Sequence, residues 1–306
     1  MENIKGKIYL LFAFALAGTS VVTGYILSEK LSSFTITAVS LGIVLLCLSP
    51  FYMGTTVETI RLLKTGDWKM LVLQAVFGIF LFRIFLLFGV NLTSTVEAGI
   101  LTGATPAITS LLAFLFLKEP LSRNTVLGIG CTVTGIVLLQ GVNLNTIDFS
   151  IHHLWGNVFI LCAAASESVF NILSRKHRAQ SSQLPIHPLV QTLLVSAIAF
   201  ILSLLPAFFE HPLASLQAIG WKEWSALVWY GLIVTALAFV LFYAGLKRCD
   251  AYTTAAFSGM IPLTSMILSV FLLNEIVGYV QWIGGILIIL SMLLISRVIR
   301  FSSRNV

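Results

Sequence analysis

Apolar residues in this chain come in long, nearly unbroken runs separated by short polar connections. Ten runs stand out: Lys7–Leu27, Phe34–Tyr52, Met70–Phe88, Ser94–Leu117, Asn124–Gly141, Leu154–Leu173, Pro188–Phe209, Trp224–Leu246, Tyr252–Leu273 and Tyr279–Arg297. Each is close to the ~20 residues a helix needs to cross a bilayer. None shows the period-two alternation of barrel strands, which are also about half as long. Helices are the remaining structure that satisfies its backbone inside lipid. The pattern predicts an all-α integral membrane protein with ten transmembrane helices, spans 1 to 10 in chain order.

Composition agrees. Of 306 residues, 58% are hydrophobic and 10% charged, against roughly 45–50% and 25% in a soluble domain. So few charges cannot coat a water-soluble globule, which excludes a soluble enzyme, a nucleic-acid binder and a disordered chain. The connections leave no room for a separate soluble domain, and the Ile8–Leu27 run is too long for a cleavable signal. The net charge of +6 is a topology signal. Fifteen of the 18 Lys and Arg residues fall on one set of span ends, two (Lys30 and Lys222) on the opposite set, and Arg83 inside span 3. Positive charge marks the cytoplasmic side, so both termini are expected in the cytoplasm of a multi-pass cell-membrane protein. The four cysteines lack metal-type spacing; three lie in apolar runs and are expected to be buried and inert.

The two halves resemble each other. A shift of 156 carries Gly89, Gly103, Pro106, Glu119 and Gly128 onto Gly245, Gly259, Pro262, Glu275 and Gly284 without a gap. A shift of 146 carries Leu27-Ser28-Glu29-Lys30 onto Leu173-Ser174-Arg175-Lys176. Each half holds five spans, an odd number, so the second copy enters the membrane upside down. The expected organisation is a five-helix repeat at 1–145 and a second, inverted one at 146–306. Inverted repeats are usual in secondary transporters, whose sites lie at the repeat interface near midplane.

The blocks TSTVEAGILTGATPAITSLLAFLFLKEPLSRNTVLGIGCTVTGIVLL at 93–139 and DAYTTAAFSGMIPLTSMILSVFLLNEIVGYVQWIGGILIILSMLLI at 250–295 resemble the drug/metabolite transporter superfamily, in particular its ten-span EamA-type members. Both carry a mid-span Pro and an acidic residue thirteen positions later. The resemblance covers nearly the whole chain. It implies export of amino acids, other metabolites or drugs, without an ATPase of its own. Span 6 departs from the pattern: Glu167 stands where an aromatic or small residue is expected.

Candidate chemistry follows from the polar residues inside spans. Pro106 with Gly103, and Pro262 with Gly259, interrupt spans 4 and 9 at corresponding positions; such pairs point to a transport site or to packing kinks. Small and polar faces run along span 4 (Ala98, Thr102, Thr105, Thr109), span 9 (Thr254, Ser258, Ile261, Ser265) and span 1 (Ala13, Ala17, Ser20, Gly24). They would line a cavity or allow close packing. Glu167, with Ala164 and Asn171 on its face, is the sharpest residue. A carboxylate at helix centre costs about 2.5–3.5 kcal/mol, which a cation, a proton or a cationic substrate must offset; a structural hydrogen bond or snorkelling is the alternative. Arg83 and Glu97 fall at similar depth, so a salt bridge is expected, or else Arg83 receives a substrate carboxylate and Glu97 an amine. Gln74 and Gln191 read as helix–helix glue. Glu119 and Glu275 read as caps or bridges at span ends. An aromatic belt explains most of Trp155, Trp221, Trp224, Trp229 and Tyr230, and His152 and His153 read as outer-loop residues.

No GxxxxGK[ST] loop, GxSxG elbow or metal-binding spacing occurs. No enzyme, metal or cofactor is expected, apart from coupling to protons. The expected function is secondary transport by alternating access, with spans 1, 3, 4, 6, 8 and 9 around a central cavity. The partners are a small-molecule substrate (an amino acid or amine) and the bilayer, and not nucleic acid. A monomer suffices, since the repeat supplies its own interface. The alternatives are a permease subunit needing a separate ATPase, a membrane enzyme or scaffold, or a carrier of nucleotide sugars or sugar phosphates. The last class would want two or more cavity cations, and Arg83 is the only one inside a span.

Overall fold

A computed structural model of the chain describes residues 2–117, 121–139, 151–180, 186–249, 254, 257–275 and 278–295. Lys118, Glu119, Arg297, Arg300, Arg304 and the beginning of the predicted Tyr252–Leu273 span lie outside them. The described residues form helices and connections, with no strand among them. In order the helices are α1 (Glu2–Gly18), α2 (Ser20–Ser28), α3 (Ser33–Leu62), α4 (Thr65–Ala75), α5 (Phe82–Val90), α6 (Thr95–Thr102), α7 (Thr105–Leu117), α8 (Arg123–Leu139), α9 (Ile151–Gln180), α10 (Pro188–Phe209), α11 (Pro212–Gln217), α12 (Trp221–Val228), α13 (Ala238–Leu246), α14 (Met260–Leu273) and α15 (Tyr279–Ile295). Two π-helical segments, Val76–Leu81 and Trp229–Leu237, join α4 to α5 and α12 to α13.

Six stretches among the described residues are long and apolar enough to cross a membrane: Ile4–Ser28, Ser33–Leu62, Thr65–Val90, Ile151–Lys176, Pro188–Phe209 and Trp221–Leu246. The shorter helices α14 and α15 are also apolar. This is a multi-pass membrane protein. Large apolar side chains such as Leu46, Phe51, Phe208 and Phe271 are exposed, as lipid-facing residues are. Cys47 is exposed on this surface, against expectation, whereas Cys249 is buried.

The most extensive helix–helix contacts are α8 with α15, α3 with α10, α1 with α13, α5 with α9 and α6 with α14. Glycines set several of these approaches. A Cβ on Gly231 would fall 2.4 Å from the Ser40 carbonyl oxygen, and one on Gly78 would fall 2.3 Å from the Phe170 ring. A Cβ on Gly99 would meet Ser265 Oγ at 2.2 Å, so the small faces of α6 and α14 serve close packing.

Helix starts are capped by carboxylates from other helices. Glu210, just after α10, accepts from Thr35 N at 2.7 Å, Thr35 Oγ1 at 2.8 Å and Phe34 N at 3.3 Å, at the start of α3. Glu275, beyond α14, accepts from Thr95 N at 3.1 Å, Val96 N at 3.0 Å and Thr95 Oγ1 at 2.5 Å, at the start of α6. The capping role expected of Glu275 is therefore real. A helix N-terminus has orphan N–H groups and a positive dipole end, and a carboxylate satisfies both.

Gly231→Ala is expected to destabilise the fold by about 1–3 kcal/mol, since the clash is with backbone rather than a flexible side chain. Gly54, with nothing within 4 Å of its Cβ position, tolerates the same change. Thermal unfolding of both variants in detergent checks this.

Candidate functional site

The break between α6 and α7 is built from the residues the sequence marks. Pro106 has no N–H, so it leaves the Thr102 carbonyl without its usual donor. The chain tightens there: Gly103 N donates to Ile100 O at 2.9 Å and Ala104 N to Leu101 O at 3.0 Å. Side chains repair the rest. Thr102 Oγ1 donates to Gly99 O at 2.6 Å, and Thr105 Oγ1 lies 2.8 Å from Thr102 O. The second break, Ser258–Gly259 before α14, carries Pro262 in the first turn of that helix, and Ile261 N donates to Ser258 O at 3.1 Å.

Three interruptions converge. A Cβ on Gly103 would lie 3.3 Å from Pro262 Cγ, so the α6–α7 break touches the start of α14. A Cβ on Gly18 would lie 2.6 Å from Ile261 O, so the α1–α2 break at Thr19 touches the same turn. Glu167, half-buried on α9, meets this region through Thr105: its Oε2 lies 3.0 Å from Thr105 Oγ1. On the next residue, Ser168 Oγ lies 3.0 Å from Thr105 O. Among the described residues, no Lys, Arg or His forms an ion pair with Glu167.

Thr105 has one hydroxyl proton and two acceptors in reach, Thr102 O and Glu167 Oε2. A hydroxyl donates once and accepts through its lone pairs. With Glu167 ionised, the proton is drawn to the carboxylate and the Thr102 carbonyl loses its donor. With Glu167 protonated, the carboxyl donates to Thr105 Oγ1, which is then free to donate to Thr102 O. The protonation state of Glu167 is thereby tied to the hydrogen bonding of the helix break.

Comparison with known proteins places these features in a family. The model of the EamA-like transporter family matches residues 4–140 and 154–297. The chain belongs to this family. A relative named an uncharacterized transporter, YetK of Bacillus subtilis (strain 168), is 32% identical over 290 residues, covering 92% of this chain and 84% of its own length. A protein of Salmonella typhimurium named "Probable amino-acid metabolite efflux pump" is 28% identical over 178 residues, 58% of each chain. A solved structure of 20% sequence identity superposes with a TM-score of 0.63 over 94% of this chain and 95% of its own, which shows a shared fold.

In this EamA-like transporter three further expected site residues stand beside the converging breaks, whereas Arg83 and Glu97 turn to other neighbours. Ser20, Thr102 and Ser258 are buried, and Asn171 is half-buried one turn beyond Glu167 on α9. Gln191 Nε2 and Tyr243 Oη each donate to Gln74 Oε1 at 3.0 Å, the glue expected of the two glutamines.

The Arg83–Glu97 salt bridge is not formed. Arg83 turns to α3 and the second π segment: Nη1 donates to Ser40 Oγ at 2.8 Å, Nη2 to Tyr230 O at 3.2 Å and to Thr235 Oγ1. Its guanidinium carbon stands 4.2 Å from the centre of the Tyr230 ring. Glu97 faces α9 and α15. Its Oε2 is 2.7 Å from His153 Nε2, and its Oε1 accepts from Gln281 Nε2 at 3.0 Å. Similar depth did not fix azimuth, and the two side chains point to different neighbours. Glu97 thus joins an end-of-helix network with His153 and Gln281, apart from Arg83.

Two further readings are corrected. Tyr230 is fully buried beneath Arg83 rather than in an aromatic belt, while Trp221 is exposed as a belt residue would be. His152 and His153 lie in the first turn of α9 rather than in a loop. Ser40, Thr235, Tyr230, Glu210 and His153 were missed because each matters through a partner distant in sequence. Only the exceptional Arg83 hinted at the first three.

Replacing Thr105 by Val removes the hydroxyl proton and is expected to cost about 1–3 kcal/mol, the penalty for a buried acceptor left unmade. Thr105→Ser restores stability. Detergent melting curves of the two variants provide the check.

Proposed function

We propose that the protein is a secondary transporter of small metabolites, an exporter of amino acids or amines, that works by alternating access and is coupled to protons. The observation that carries this reading is Glu167: a half-buried carboxylate at three converging helix interruptions, without a basic partner among the described residues. A proton or a substrate amine supplies the missing positive charge. Thr105 then relays the change to the break between α6 and α7. The name of the Salmonella relative, a probable amino-acid metabolite efflux pump, favours export of this class.

The architecture proposed for this function is ten spans in two inverted repeats, 1–145 and 146–306. The helix contacts support it. Pairing spans 2 with 7, 4 with 9, and 5 with 10 maps onto itself when the halves are exchanged, and the pairs 1 with 8 and 3 with 6 exchange with each other. The π segments fall in spans 3 and 8, which correspond. The two family matches, 4–140 and 154–297, flank the expected boundary. The charge bias favours cytoplasmic termini in a monomeric cell-membrane carrier that uses no cofactor. A separate ATPase is the alternative.

Purified protein in liposomes without ATP, under an imposed pH gradient, tests the reading. The wild type is expected to move amino acids or amines with a rate that follows the gradient. Glu167→Gln abolishes or strongly changes the pH dependence. An unchanged rate and pH profile removes Glu167 from the mechanism, and a strict requirement for ATP and a second protein favours the alternative.

A further inference from the structure

Arg83 is a cation inside the apolar bundle, 4% exposed, and its three hydrogen bonds all go to neutral oxygens. The acids that could have neutralised it are engaged elsewhere. Glu97 holds His153 and Gln281, Glu167 holds Thr105, Glu210 caps α3 and Glu223 pairs with Lys30. Among the described residues, then, the guanidinium has no carboxylate. A charge at this depth is costly to leave without one.

The surrounding oxygens are arranged to accept from Arg83, not to neutralise it. Ser40 Oγ donates to Thr37 O at 3.1 Å and Thr235 Oγ1 to Tyr230 O at 2.7 Å, so both hydroxyls present lone pairs to the guanidinium. Arg carries five N–H donors, and three are used by these bonds. A second buried group is also incomplete. The Tyr230 side chain is fully buried, yet its hydroxyl has no hydrogen-bond partner among the described residues. That hydroxyl faces Gly24 of α2, where a Cβ would stand 3.9 Å from it and 3.1 Å from Leu87 Cδ2, so Leu87 of α5 packs beside it. Ser20 lies one turn earlier on the same face. A buried, unpartnered hydroxyl donor and a guanidinium without a counter-ion thus meet at one tyrosine, the guanidinium lying over the face of its ring.

We propose that Arg83 and the Tyr230 hydroxyl form an anion subsite for the carboxylate of a small metabolite, between α2, α5 and the second π segment. This deepens and rests on the transport reading. It selects amino acids over the amines that lack their carboxylate. A single cation suits one carboxylate and not a multiply charged phosphate ester. The subsite is closed in this conformation, and α2, which ends in the short connection to α3, is the wall that must move to admit a ligand.

The test has two readouts, ligand-induced thermal stabilisation in detergent and flux in liposomes. The probes are a panel of amino acids and, for each, the amine that lacks the carboxylate. The wild type is expected to be stabilised by one or more amino acids and less by the matching amines. Arg83→Gln is expected to weaken the amino-acid response at least about tenfold, as loss of one charge-assisted hydrogen bond does, with the amine response retained. Arg83→Lys restores part of it, and Tyr230→Phe weakens it without removing the cation. Equal responses to amino acid and amine in the wild type overturn the subsite. So does an Arg83→Gln protein that melts lower but keeps the wild-type preference, since Arg83 would then only pin the π segment. Stabilisation by carboxylates without any flux leaves the subsite standing and sinks the transport reading. Flux of amines alone does the reverse.

Discussion

Inside a bilayer every backbone N–H and C=O must find its partner within the protein. The rest of this structure depends on that constraint, because the chain repeatedly departs from uninterrupted α-helix. It breaks at Thr19, at Gly103–Ala104 and at Ser258–Gly259, and widens into π-helix at Val76–Leu81 and Trp229–Leu237. A departure frees backbone groups, and at three of the five, identifiable side chains take them up. Thr19 Oγ1 donates back to Leu16 O and accepts from Trp229 Nε1, Thr102 and Thr105 repair the α6–α7 break, and Arg83 with Thr235 serves the Tyr230 carbonyl in the second π segment. Thr19, Thr102, Thr105 and Thr235 thus stand where the helices depart from regular geometry. The site proposed to change shape is built from the same side chains that make its irregular backbone tolerable.

The ends of the helices obey the same rule with charged groups. At α6, Glu275 takes the N–H groups of Thr95 and Val96, and Ser94 Oγ takes that of Glu97. The Glu97 side chain is released to join α9 and α15 through His153 and Gln281. Four helices are thus joined at one end through two carboxylates. Moving α6 relative to α9 or α14 requires breaking these bonds. The carboxylates that secure the fold also set part of the barrier to any rearrangement.

The sequence made two of the three broken helices legible and left the widened ones hidden, for a physical reason. The match of Pro106 with Pro262 marks the breaks in spans 4 and 9 before any coordinates are seen, whereas the break at Thr19 carries no proline, and Pro50 and Pro206 stand inside continuous helices. A π segment leaves no such mark. Val76–Leu81 and Trp229–Leu237 are ordinary apolar sequence, and what sustains them is tertiary: Gly78 against Phe170, Gly231 against Ser40, and the distant guanidinium of Arg83. Fold class was legible because lipid enforces run length. Partner choice was less so, because depth along a span follows from sequence whereas azimuth depends on neighbours. Glu167 stood out as a charge within an apolar span, but its link to Thr105, 62 residues earlier, needed the packing of α7 on α9.

The proposed two-fold relation sharpens what Glu167 does. A shift of 156 carries Thr105 onto Ile261, and exchanging the halves carries the contact between spans 4 and 6 onto that between spans 9 and 1. In the first, a threonine hydroxyl meets a carboxylate; in the second, a glycine, Gly18, lies against the Ile261 backbone carbonyl. One of these two related contacts can change with protonation and the other cannot. If the halves exchange roles between two similar conformations, the apolar contact contributes the same free energy at any pH, while the Glu167–Thr105 contact does not. The difference in energy between the two conformations then follows the protonation of Glu167. On that proposal, repeat symmetry would supply two states of comparable stability, and the departure from symmetry at Glu167 would give a proton the differential affinity for them without which no ligand shifts a conformational equilibrium.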